Sequence, residues 1–124
     1  MILIPDDLRP KLLANGGDPD SDHVPVIKLF DPVGAATWLI SSMEPSEPDI
    51  LFGLCDLGMG FPELGTVSLA ELESIRRPFG LRIERDLCFE GKYPLSVYAE
   101  AATYAGAITT SNSALDEVVA QRRS

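Results

Sequence analysis

Ala36-Thr37-Trp38-Leu39-Ile40-Ser41-Ser42-Met43, then Glu44-Pro45-Ser46-Glu47-Pro48-Asp49, then Ile50-Leu51-Phe52-Gly53-Leu54-Cys55-Asp56-Leu57 is the stretch that decides the fold. Two apolar runs of strand length flank a short link rich in proline and acid. A link that short joins strands side by side in opposite directions, because a parallel crossover needs a dozen residues or more. In the first run Trp38, Ile40 and Ser42 alternate with Thr37, Leu39 and Ser41, so both faces are partly apolar. The second run is the most hydrophobic of the chain, which suits a central strand.

Working outward, Val24 to Phe30 reads as a preceding strand, with Pro25 at its start and Asp31-Pro32-Val33-Gly34 as the turn that follows. On the other side, Gly58 to Gly65 forms a glycine-rich bend before a short strand at Leu64 to Val67. The series predicts an antiparallel meander. Leu81 to Phe89 adds a fifth strand, broken near Arg85-Asp86.

Helices frame these strands. Asp6 to Ala14 reads as a helix starting at Asp6 or Asp7, where aspartate suits the N-terminus. Asn15-Gly16-Gly17 is expected to stop it in the left-handed conformation. Ser68-Leu69-Ala70-Glu71 has the pattern of a capping box and opens a helix through Arg76 or Arg77, with Leu69, Leu72 and Ile75 inward. Pro94 to Ala105 is the next helix, closed by Gly106. The expected fold is α+β: an antiparallel sheet of about four or five strands, an N-terminal helix and two later helices. Residues 1–106 are expected to form the domain. Residues 107–124 are expected to be a partly mobile or weakly helical tail. The expected core is Leu8, Leu12, Ile27, Leu29, Trp38, Ile40, Leu51, Phe52, Leu54, Leu69, Leu72, Ile75, Ile83, Leu87, Leu95 and Tyr98.

A chain of 124 residues with 45% apolar residues suits one domain and can bury a core without metal or disulfide. Ten Lys and Arg against nineteen Asp and Glu leave a net charge of −9. That balance argues against direct nucleic-acid binding, which needs a cationic face. No apolar run approaches the ~18 residues that span a membrane. The start, Met1-Ile2-Leu3-Ile4-Pro5-Asp6-Asp7, lacks the basic and apolar parts of a signal peptide, so a cytoplasmic location is expected. The acids are concentrated: residues 1–75 hold thirteen against three bases, a net of −10. Cys55 and Cys88 lie in apolar stretches and read as two small buried hydrophobes rather than a disulfide or a nucleophile.

Motifs of chemistry are sparse. The glycines at 53, 58, 60 and 65 match neither phosphate-loop pattern and fit bend geometry better. Asp56 and Glu63 flank the bend and are the only weak catalytic candidates, as a carboxylate pair for acid–base work. The bland alternative has Asp56 capping the bend and Glu63 in solvent or paired with an arginine. His23, the single histidine, lies in a polar loop without a metal-ligating partner. Arg82, Glu84, Arg85 and Asp86 read as a guarded strand edge rather than a ligand grip. No metal site and no cofactor site are expected. The acidic loops Asp18, Asp20, Asp22, Glu44, Glu47 and Asp49 are the candidate binding residues, against a reading in which they only keep the domain soluble.

Several blocks, taken in order, carry a resemblance. They are Leu3-Ile4-Pro5-Asp6-Asp7-Leu8-Arg9, Val26-Ile27-Lys28-Leu29-Phe30, Ala36-Thr37-Trp38-Leu39 and Phe52-Gly53-Leu54-Cys55-Asp56-Leu57-Gly58. Pro62-Glu63-Leu64-Gly65-Thr66-Val67-Ser68-Leu69-Ala70-Glu71-Leu72, Leu81-Arg82-Ile83-Glu84-Arg85-Asp86-Leu87 and Pro94-Leu95-Ser96 complete the set. Over residues 2 to 105 the chain resembles a bacterial single-domain family catalogued as a domain of unknown function. The resemblance implies a setting on plasmids and integrative conjugative elements, beside conjugation and anti-restriction genes. It brings no catalytic residue and no cofactor. The expectation is therefore a non-catalytic accessory protein of mobile DNA that binds another protein, for instance by placing acidic charge in the basic DNA channel of a restriction enzyme. The alternative is an enzyme of unrecognised type working through Asp56 and Glu63.

Overall fold

The meander forms as its turns require. β1 (Ile27–Phe30), β2 (Thr37–Met43), β3 (Ile50–Asp56) and β4 (Glu63–Ser68) pair antiparallel in sequence, and β5 (Glu84–Arg85) returns to the outer side of β1. The sheet order is β4-β3-β2-β1-β5, so β4 and β5 are its two edges. The computed structural model describes residues 1–123 and adds α1 (Arg9–Gly16), α2 (Leu69–Ser74), α3 (Leu95–Ala105) and α4 (Asn112–Arg123). The fold is α+β.

The partly apolar character of both strand faces has a direct consequence: the sheet is covered on both sides. Trp38, Ile40 and Leu51 pack with Leu12 of α1 and Leu72 of α2 in one core. Leu39 and Leu54 pack on the other side with Leu95, Tyr98 and Ala102 of α3 and Leu115 and Val118 of α4. A β-bulge lets β2 serve the first core along its whole length. Ile40 pairs with Gly53 and Ser42 with Phe52, so Ser41 is the extra residue and Met43 rejoins the face of Ile40.

That bulge also docks α1. Asn15 is buried and its Nδ2 donates to the Ser41 carbonyl oxygen at 2.9 Å. A Cβ on Gly16 would stand 1.9 Å from the Met43 carbonyl oxygen. Gly16 is therefore required by the close approach of helix to strand. The left-handed stop expected here does not form, since Gly17 has φ −75°. The start of α1 differs as well. Leu8 occupies the N-cap without a side-chain bond, and Asp6 and Asp7 lie in the preceding turn, where Leu8 and Arg9 donate to the Pro5 carbonyl.

Ser68 caps α2 as expected, accepting from the Glu71 N–H at 3.2 Å. A second cap comes from Asp49, whose Oδ1 accepts from the Ala70 N–H at 2.8 Å and whose Oδ2 accepts from the Ser68 hydroxyl at 2.6 Å. These bonds hold the Asp49 carboxyl below its usual range, the Ser68 hydroxyl contributing most. The helix stops at Ser74, with Ile75 already extended, so Arg76 and Arg77 fall beyond it.

Further corrections concern burial and strand length. Of the expected fifth strand only Glu84 and Arg85 pair as a strand, opposite Phe30 and Leu29, with one further bond from the Asp86 N–H to the Lys28 carbonyl at 2.9 Å. Its charges are absorbed locally: Arg85 donates to the Ile2 carbonyl, Arg82 to the Glu73 carbonyl, and Asp86 lies 3.6 Å from Lys28 Nζ. Leu87 is 71% exposed and Phe52 40% exposed, so neither is core. Leu8, Leu69 and Ile75 are only half-buried against the first core. Cys55 is half-buried beside that core, whereas Cys88 is exposed.

Residues 112–123 form a full helix, and Leu115 and Val118 are buried against α3. Tyr93 donates to Asp116, and Arg122 Nε lies 3.0 Å from Glu100 Oε2. No helix among the described residues is long and apolar enough to cross a membrane.

Candidate functional site

The α3 side of the sheet is only partly covered. α3 and α4 pack over Leu39 and Leu54, which leaves the far end of β2, β3 and β4 open. A cleft of about 430 Å³ occupies that end. Its floor is Phe52 of β3 with Leu64 and Thr66 of β4, all on one face by the pleat. Thr66 stands opposite Phe52, and Leu64 opposite the buried Leu54.

One wall is the loop after α1. Ser21 Oγ donates to Asp18 Oδ2 at 2.7 Å, and His23 Nε2 lies 2.7 Å from the Asp18 carbonyl oxygen. A carbonyl only accepts, so Nε2 carries the hydrogen, and His23 closes its own loop. The loop is bolted to the start of α3. Pro94 offers no side-chain cap, and Asp22 supplies it instead: Oδ1 accepts from the Ser96 N–H at 3.0 Å and Oδ2 from the Ser96 hydroxyl. The Leu95 N–H donates to the His23 carbonyl at 2.9 Å. A carboxylate beside the first N–H groups of a helix is favourable by direct bonding and by the dipole. Arg122 of α4 reaches the Ser96 hydroxyl at 3.1 Å, so the tail helix braces the same corner.

The other wall is the end of β2 with its turn, where Ser42 and Glu44 line the cleft. Glu44 Oε1 accepts from the Ser46 N–H at 3.3 Å and the Ser46 hydroxyl at 3.1 Å.

The fold thus gathers part of the acidic set. Asp20, Asp22 and Glu44 line one cleft although they come from two separate loops. Asp18 lies behind that wall, bonded to Ser21. Glu47 sits exposed in the β2–β3 turn, and Asp49 is turned away to cap α2. The residues that sequence reasoning did not single out are Ser42, Phe52, Leu64, Thr66 and Ser96. Phe52 was expected in the core; its place beside the polar Ser42 follows from the Ser41 bulge, which no local sequence signal marks.

Asp56 and Glu63 are not brought together. Glu63 pairs with Cys55, so it shares the face of Cys55, while the neighbouring Asp56 points to the opposite face. Asp56 is buried and committed: Oδ1 accepts from the Gly58 N–H at 2.8 Å and Oδ2 from the Ile108 N–H at 2.9 Å. It caps the bend, where Gly58 has φ +82°, and ties the segment before α4 to the sheet. Among the described residues no group of three His, Cys, Asp or Glu side chains could hold a metal ion.

The family model described as a protein of unknown function, DUF2958, matches residues 3–109. No curated protein and no solved structure matches the chain. The match covers the sheet, α1, α2 and α3, and stops just before α4. The chain belongs to this family.

Proposed function

We propose that this family member is a non-catalytic accessory protein that acts by binding another protein, and that the cleft over β3 and β4 is where it does so. The observation that supports the reading is the composition of that cleft. Phe52 and Leu64 leave 40% and 48% of their surface exposed on its floor, under Asp20, Asp22 and Glu44. Exposed apolar side chains ringed by charge are the pattern of a protein-binding surface. The acid on the rim selects a basic partner, and the net charge of −9 draws such a partner in from a distance.

The setting implied by the sequence resemblance agrees with this chemistry. Proteins that handle mobile DNA, whether for conjugation or restriction, carry cationic faces for phosphate. An acidic accessory protein is complementary to them.

The test is a tagged pull-down from bacterial lysate with the wild-type chain and an Asp20→Lys/Glu44→Lys variant, at low and high salt. Neither carboxylate caps a helix, and the Glu44 carboxylate bonds only to Ser46 in its own exposed turn, so the variant is expected to keep the fold, which circular dichroism checks. The expected result is a specific partner held by the wild type at low salt, released at high salt and absent from the variant. Equal recovery by both chains would refute the role of the cleft.

A further inference from the structure

The two edges of the sheet are treated differently. β5 has only two residues, both charged, and the N-terminal segment lies against it through the bond from Arg85 to the Ile2 carbonyl. That is a protected edge. β4 has six residues, no lysine and no proline inside it, and no strand pairs with its outer side among the described residues. Its outer N–H and C=O groups form a template for another strand. The same strand supplies the cleft floor through Leu64 and Thr66. A segment laid along β4 would therefore place alternate side chains over the cleft.

We propose that β4 binds its partner by strand addition: an extended segment pairs with the free edge of β4 and sets basic and apolar side chains over Asp20, Glu44, Phe52 and Leu64. This rests on the cleft being the binding surface, and adds how the partner is held. Charge decides between the possible occupants. A second copy of the chain would bring acidic rims together, along with Glu63 of each β4, in molecules that each carry −9. A basic segment meets the same groups with attraction.

The test uses a fluorescent synthetic octapeptide, Lys-Thr-Leu-Thr-Leu-Thr-Lys-Thr, whose Lys and Leu share one face when extended. Three relatives accompany it: one with Glu for both Lys, and two N-methylated on alternate residues, one for each edge of the peptide. Binding to the full chain is read by anisotropy, and amide exchange of residues 63–68 is read alongside. Strand addition expects the parent peptide to bind and to protect β4 amides. It expects one N-methylated form to bind at least about tenfold more weakly and the other to bind unchanged, because only one edge of an added strand faces β4. The Glu peptide is also expected to lose at least about tenfold.

Equal binding of both N-methylated forms overturns strand addition. If the Glu peptide still fails in that case, the acidic cleft survives without it. Equal binding of the Glu peptide, with the N-methyl asymmetry intact, keeps the strand addition and overturns the charge selection. No binding by any peptide, or β4 protection that follows self-association of the chain, overturns the basic segment as occupant.

Discussion

Replacing Gly16 with alanine separates helix propensity from tertiary packing. In an isolated helix this change is favourable by roughly 0.5–1 kcal/mol. Here the added methyl group meets the Met43 carbonyl oxygen at 1.9 Å, about half of a normal carbon–oxygen contact. Neither atom is the end of a flexible side chain, so α1 must move off the β2 bulge. Overpacking of this kind costs roughly 1–3 kcal/mol. Movement also stretches the Asn15–Ser41 bond, 2.9 Å in the native chain, between groups buried from water. Leaving them unpaired costs a further ~1–3 kcal/mol. Against the propensity gain, the net expectation is a loss of roughly 2–4 kcal/mol. For a chain of this size that lowers the melting temperature by roughly 8–16 °C. Urea unfolding of the wild type, Gly16→Ala, Asn15→Ala and the double variant reads the effect and its coupling. The two losses should be less than additive, because both act on one contact. A Gly16→Ala chain as stable as the wild type, or more so, refutes the account of how α1 docks. The consequence reaches the cleft, since the loop from Asp18 to His23 hangs from the end of α1.

The buried Trp38 sits under α1 and α2, so Trp38→Ala should cost roughly 3–5 kcal/mol in urea unfolding. A loss below ~1 kcal/mol would place the ring outside the core. Cys88 should react with a thiol reagent in the native chain, and Cys55 only on unfolding, because burial pushes the Cys55 thiol up and shields it. Mass mapping after brief alkylation checks this, and equal labelling would contradict it. The Asp49 carboxyl is held below its usual value of 3.8, so its contribution is present above that pH and is lost as pH falls through the native value. Comparing urea midpoints of the wild type and Asp49→Ala from neutral to acid pH should show the gap closing below about pH 4. A constant gap would mean that the charge of Asp49 does not stabilise the α2 cap.

Much of the sheet was legible because its signals are local. The short Pro-rich link from Glu44 to Asp49 implied antiparallel neighbours, and the run around Trp38 and Leu39 read as partly apolar on both faces, which the two cores on either side of the sheet explain. What escaped depends on partners far along the chain. Ser41 is a bulge only in relation to Gly53 and Phe52, and without that slip Met43 would point to the wrong face. Asp22 and Asp49 looked like solvated loop acids, but each caps a helix that lies many residues away. Gly16 looked like a helix stop, and its real constraint is the Met43 carbonyl. Residues 107–124 read as a partly mobile or weakly helical tail because of their polar composition, and the helix α4 within them has Leu115 and Val118 supplying its buried contact. The cleft was the least legible feature. Its walls come from the α1–β1 loop, the end of β2 and the start of α3, and its floor depends on β4 being an edge. Strand order is a property of the assembled sheet.

The most direct test of the binding account is amide hydrogen exchange on the chain bound to the partner captured in the pull-down. Protection should fall on residues 18–23, on Glu44 and on β4, and should vanish with Asp20→Lys/Glu44→Lys. Protection confined to the bend at residues 57–61, or to the outer face of α4, would contradict it.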